Sequence, residues 1–136
     1  MSALVNYNTK WDRGTDLVLY FQYAVGATAL SAVAPSDFAD WQANAAVEVV
    51  ESGTQVQDST QPVTASTSDE SITLAADGTV TVSFAWTSAL DDLFVSEAAL
   101  HLKYDVILED TTGKRFKLAA GTITAEDSVT VWPTVT

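Results

Sequence analysis

Groups able to attack, transfer a proton or hold a metal are few in this chain and poorly gathered. His101 is the only histidine, and there is no cysteine. Cys-His nucleophilic arrangements, thiolate metal sites and a disulfide framework are therefore excluded. Serines are plentiful, yet no Gly-x-Ser-x-Gly elbow supports a Ser-His-Asp triad, and His101 reads as a solvent-facing or edge-strand residue. Zinc would need three carboxylates beside that one imidazole. Adjacent acids occur at Asp69-Glu70, Asp91-Asp92 and Glu126-Asp127. Carboxylates suit calcium, and Asp91-Asp92 is the best candidate. None of the pairs sits in a D-x-D-x-D-G loop, however, and neighbouring acids on a strand point to opposite faces. The six glycines form no G-x-G or P-loop arrangement that would cradle phosphate. The expectation is a protein without catalytic residues, cofactor or metal.

Aromatic rings are the other source of recognition chemistry. There are four tryptophans, Trp11, Trp41, Trp86 and Trp132. Trp86 is in phase with Val82 and Phe84, which points it to a core. Trp132 is out of phase with Val129 and Val131 and precedes Pro133, which suits a sheet edge or an interface. Trp11 and Trp41 lie in irregular stretches. With Phe38 and Trp132 they are the candidate partner contacts, for another protein or, by stacking, for a surface glycan.

Charge narrows the partners. Eighteen acidic residues against six basic give a net charge of −12. All lysine and arginine falls in residues 10–13 and 103–117, with none between Arg13 and Lys103. Nucleic acid binding needs a basic footprint on phosphates, and this chain has the opposite. An acidic surface confers solubility and repels polyanions. No segment approaches the ~20 apolar residues of a membrane-spanning helix, and MSALVNYNTKWDRG lacks the apolar stretch of a signal peptide.

The elements that would position these residues are mostly strands. Period-two alternation runs through DLVLYFQYAV, TVTVSFAW and LKYDVILED, and more weakly through SVTVWPTV; AAVEVVES and SITLAA are shorter candidates. Asp77-Gly78 predicts a two-residue hairpin turn with both central residues at positive φ, and Thr111-Thr112-Gly113 a longer hairpin loop with a left-handed glycine. Gly121, inside LAAGTI, suggests a bulge or a close backbone approach. PSDFADWQANAA, residues 35–46, carries Phe38, Trp41 and Ala45 at helical spacing behind a Ser36 or Asp37 cap, and reads as a short helix or helical turns. TSALDDLFVSEAA, residues 87–99, reads as a helical crossover whose Leu90, Leu93 and Phe94 cap the core. The Ser/Thr/Gln-rich residues 52–70 read as a long exposed loop or an irregular edge hairpin. Together these predict one all-β domain over residues 1–136. It would be an antiparallel, immunoglobulin-like β-sandwich of about seven strands with one or two short helical insertions. Residues 1–12 form either an arm that adds to a neighbour's sheet or the domain's own first strand.

A likeness runs through several of these motifs. Arg13-Gly14 leads into the aromatic strand Leu17 to Tyr23, and the ITLAADGTVTVSF hairpin and the helical crossover follow. Tyr104-Asp105 then opens a strand, with Gly113 in the next turn and Gly121 beyond. In this order the chain resembles the small immunoglobulin-like domains of tailed-phage virion structural proteins, such as the N-terminal domain of siphophage upper baseplate proteins. Residues 35–46 and 52–70 depart from that pattern as insertions. The resemblance implies a non-catalytic, homo-oligomeric virion protein, assembled in the bacterial host cytoplasm. It would dock onto other virion proteins at a tail, fibre or baseplate junction, or decorate or cement a capsid. A carbohydrate-binding module using exposed tryptophans is the alternative. In such a sandwich Tyr104, core-facing, would form a tyrosine corner, its hydroxyl bonding backbone a few residues upstream near residues 90–99.

Overall fold

The computed structural model describes residues 5–23, 36–49, 63–93 and 99–126. Nine strands lie within them: β1 (Val5–Asn6), β2 (Thr9–Asp12), β3 (Leu17–Gln22), β4 (Gln42–Val49), β5 (Val63–Ser66), β6 (Ile72–Leu74), β7 (Thr79–Phe84), β8 (Ala99–Glu109) and β9 (Arg115–Glu126). One short helix, α1 (Ser88–Leu93), and a single 3-10 turn at Phe38–Asp40 complete the inventory. The strands form two sheets. The larger runs β1-β9-β8-β4-β5, with β2 also on β9, and the smaller runs β3-β7-β6.

Alternation predicted the facing of the central strands correctly. Leu19 and Phe21 on β3, Val80, Val82 and Phe84 on β7, and Leu102, Tyr104, Val106 and Leu108 on β8 are all buried. They meet between the sheets with Trp11, Phe38, Ile72, Leu118 and Ile123. Removing each such side chain from water stabilises the fold by about 1.5–3 kcal/mol. Leu90, fully buried, fastens α1 onto this core, and the Thr87 hydroxyl accepts its N–H (3.3 Å) as an N-terminal cap.

Four expectations are corrected or narrowed. Of the short helix or helical turns expected at residues 35–46, the described residues 36–46 hold only the 3-10 turn, and β4 begins at Gln42. The spacing of Phe38 and Trp41 comes from that one turn. Ala43, Ala45 and Val47 instead alternate inward against β8, because the β8 edge satisfies their backbone and the core takes every second side chain. Of the two readings of residues 52–70, exposed loop or irregular edge hairpin, the second fits residues 63–66, which are strand β5, paired antiparallel with β4; residues 52–62 lie outside the described residues. The sandwich is not wholly antiparallel, since β1 and β2 run parallel to β9. Finally, the turn at Asp77-Gly78 has three residues, not two. Gly78 N–H donates to the Ala75 carbonyl (2.9 Å), and Ala75 N–H donates to the Thr79 carbonyl (2.9 Å). Gly78 alone is left-handed (φ 96°), which is a type I turn closed by a glycine bulge. The 110–114 loop repeats this geometry with Gly113 at φ 91°. The closing SVTVWPTV strand, residues 128–135, lies outside the described residues.

A bulge shifts the phase of β9. Val106 faces Ala119 while Ile107 faces Lys117, so Leu118 has no partner of its own. Two consecutive side chains, Leu118 and Ala119, therefore both point into the core.

Candidate functional site

The residues expected to make external contacts are largely internal. Trp11 is only 1% exposed on β2. Its ring meets Phe84 and the edge of Trp86 (centroids 6.3 and 5.2 Å), and its indole N–H donates to the Thr15 carbonyl (2.6 Å). Trp41, 7% exposed, stacks on Phe116 (5.9 Å, 12° between planes) and donates its indole N–H to Asp37 Oδ1 (3.1 Å). Phe38 is fully buried between Tyr23 and Trp41. All three are core residues, which corrects their assignment as partner contacts. A sugar-stacking platform needs an exposed ring face, and at Trp11 and Trp41 those faces are covered by other rings. Irregular sequence around a tryptophan did not mean exposure, because β2 is covered by a strand more than a hundred residues away. Trp132 lies outside the described residues.

Tyr104 is buried as expected, but its hydroxyl does not bond backbone upstream. It donates to the Tyr7 carbonyl (2.8 Å), on the N-terminal arm. This is no tyrosine corner but a latch between β8 and the arm. Burial, with the Tyr7 hydroxyl adding a smaller effect, pushes its pKa from 10.0 to about 12. The arm is held there by its own domain. Tyr7 N–H donates to the Ala120 carbonyl (3.0 Å), and Asn8 Oδ1 accepts the Thr122 N–H (2.9 Å). Gly121 makes room, since a Cβ at that position would stand 1.9 Å from the Tyr7 carbonyl oxygen. The close backbone approach expected at this glycine is real.

Charged groups pair along the outer face of the larger sheet. Lys103 meets Glu48 (3.7 Å), Lys117 meets Asp105 (3.6 Å), Arg115 meets Glu109 (3.1 Å) and Lys10 meets Glu126 (4.0 Å). A shallow depression of about 320 Å³ floored by Ala46 and Ala120 lies among Glu48, Lys103, Asp105 and Lys117. Exposed pairs of this kind contribute about 0–1 kcal/mol each. His101 stands exposed on β8. Three surface aspartates, Asp69 and Asp77 exposed and Asp110 partly so, order turns. Asp110 Oδ1 accepts the Thr112 hydroxyl and the N–H groups of Thr112 and Lys114. Asp77 Oδ1 accepts the Thr79 N–H, and Asp69 Oδ1 accepts both the hydroxyl and the N–H of Ser71. These hydrogen bonds hold all three carboxyls below their usual pKa. Among the described residues no three histidine or acidic side chains gather as a metal site. Asp91 and Asp92 lie on α1, their side chains outside the described part.

What sequence reasoning missed is an apolar edge. The large hydrophobic residues left exposed among those described are Tyr20 (70%), Tyr7 (47%) and Val18 (41%). They fall together. With Leu19 and Phe21 they line a groove of about 300 Å³ beside β3, and Tyr7 meets Phe21 edge-on. Among the described residues β3 ends the smaller sheet, hydrogen-bonded on one side only. Tyr23 N–H donates to the Gly78 carbonyl across from it (2.8 Å). Antiparallel pairs alternate, so Leu17, Leu19 and Phe21 bond towards β7, while the backbone groups of Val18, Tyr20 and Gln22 face the open edge. The available signal was that LVLYFQ is apolar on both faces and carries no charge.

The architecture thus defines an all-β protein of two packed sheets. Compared with known proteins, the chain matches no protein-family model and no curated protein.

Proposed function

We propose that this chain is a non-catalytic structural protein of a bacteriophage virion, acting through protein–protein assembly at a tail, fibre or baseplate junction or on the capsid surface. The observation that carries the assembly reading is the convergence of Tyr7, Val18 and Tyr20 on the open edge of β3. An uncovered strand edge is a template for another strand, and natural sheets usually blunt it with charge, proline or a bulge. LVLYFQ has none of these. The phage setting rests on the resemblance of the motif order to small virion domains. The acidic surface supports it in one respect, since such a protein stays soluble until it meets its site.

The test is location. Antibody against the chain should label purified particles, and electron microscopy should place it at a fixed position and copy number. Tyr20→Lys should lower its incorporation. A protein that is strictly monomeric and absent from purified virions would sink the proposal.

A further inference from the structure

We infer that the open edge of β3 pairs with β3 of a second copy, antiparallel across a two-fold axis at Tyr20; this rests on the assembly reading above. Parity fixes the choice of registers. Residues directly opposite in an antiparallel pair project to the same face. Inward residues must therefore meet inward residues, which restricts the axis to a residue and excludes the midpoint between two. An axis at Tyr20 sets Tyr20 against itself, Val18 against Gln22 and Leu19 against Phe21. It uses the free backbone groups of Val18, Tyr20 and Gln22, those already aimed outward. It also joins two three-stranded sheets into one of six strands.

Charge makes this edge the one at which a second copy can dock. Two chains of −12 repel, so self-association needs a contact that places no like charges face to face. β3 is that contact, because no charged residue stands anywhere in Leu17–Gln22. The other edges left open among the described residues are shorter. β5 has four residues, and β6 has three and is flanked by Asp69, Glu70 and Asp77. Tyr7 lines the same groove from the arm. It would pack beside the incoming strand and extend the apolar contact beyond the ladder.

The interface is one strand wide, small against the ~1,200–2,000 Å² buried in stable complexes. A dissociation constant on the order of 100 µM is therefore expected. Sedimentation equilibrium of the intact chain over a range of concentrations should show monomer passing to dimer. Tyr20→Lys should weaken the dimer by about tenfold or more. Val18→Pro should do the same while sparing the β3–β7 ladder, because the N–H it deletes points to the open edge. As the chain has no cysteine, Tyr20→Cys should form a disulfide-linked dimer on mild oxidation, and Thr73→Cys, exposed on β6, should not. Should Val18→Pro fail to fold, judged by circular dichroism, the lysine and cysteine variants decide. A wild-type chain monomeric at millimolar concentration, or a dimer indifferent to Tyr20→Lys, overturns the self-pairing. If the chain is monomeric yet Tyr20→Lys still lowers incorporation into particles, assembly stands. The edge then takes another protein's strand.

Discussion

Gly121→Ala separates two opposed effects cleanly. Gly121 is not among the left-handed glycines, Gly14, Gly78 and Gly113. An alanine would therefore meet no backbone strain, and by restricting the unfolded chain it should stabilise the protein by about 0.4–1 kcal/mol. The added Cβ, however, would lie 1.9 Å from the Tyr7 carbonyl oxygen and 2.7 Å from its carbon. These are backbone atoms and cannot swing aside, so the arm must lift. Lifting it breaks the bonds from Tyr7 N–H to Ala120, from Thr122 N–H to Asn8 and from the Tyr104 hydroxyl to Tyr7. At about 1 kcal/mol each, the loss outweighs the entropic gain, and the net should be a destabilisation of about 2 kcal/mol. Urea unfolding followed by tryptophan fluorescence would measure it. Trypsin should also cut faster after Lys10 in the variant. Tyr104→Phe removes one of the same three bonds and should cost about 1 kcal/mol alone, but markedly less in the Gly121→Ala background, since both act through one carbonyl. A Gly121→Ala protein as stable as the wild type, with the arm equally protected, would refute the latch.

Three further outcomes are expected. The raised pKa of Tyr104 favours the neutral phenol in the fold, so its contribution is complete below pH 10 and is lost as pH climbs towards about 12. Tyrosinate absorbance should show one tyrosine titrating late, and Tyr104→Phe should flatten the alkaline fall in stability. Trp11→Ala should destabilise by about 3–5 kcal/mol, as befits a buried ring. Were it a contact residue, thermal melting would hardly change. Asp110→Ala should loosen the 110–114 hairpin and quicken amide exchange at Thr112 and Lys114. Its carboxyl sits below the usual range, so in the wild type this ordering holds above the ordinary carboxylate pKa and is lost as pH falls through the lowered one.

The sequence made the inside of the sandwich legible and its margins opaque, for a physical reason. Where a strand buries one face, each second residue must be apolar, so the inward sets of β3, β7 and β8 could be read from period two. Trp11 could not. Its burial depends on parallel pairing of Thr9–Asp12 with Ile123–Glu126, and no local pattern announces a partner that distant. The same gap misdirected Tyr104, whose need for a hydrogen-bond acceptor was evident but whose acceptor lies on the arm. At residues 42–46, alanines fit helix and strand alike, and only the neighbouring edges of β5 and β8 decide. Val18 and Tyr20 were visible as the second face of their strand. That this strand ends its sheet among the described residues was not, because strand order is a property of the whole topology.

An acidic chain with an uncharged open edge carries a built-in balance, and salt should tip it in a diagnostic direction. Repulsion between two chains of −12 acts over distances comparable to the Debye length, ~10 Å at 0.1 M salt. Pairing through Leu17–Gln22 involves no ion pair, so salt screens only what opposes it. Added salt should therefore strengthen the dimer. The outer face of the larger sheet offers the contrary case. It is built of ion pairs such as Lys103–Glu48 and Lys117–Asp105, which salt would weaken if copies met there by exchanging partners. Sedimentation at low and high sodium chloride thus distinguishes the two faces without any mutation. A dimer that dissociates as salt rises would move the contact from β3 to the charged sheet.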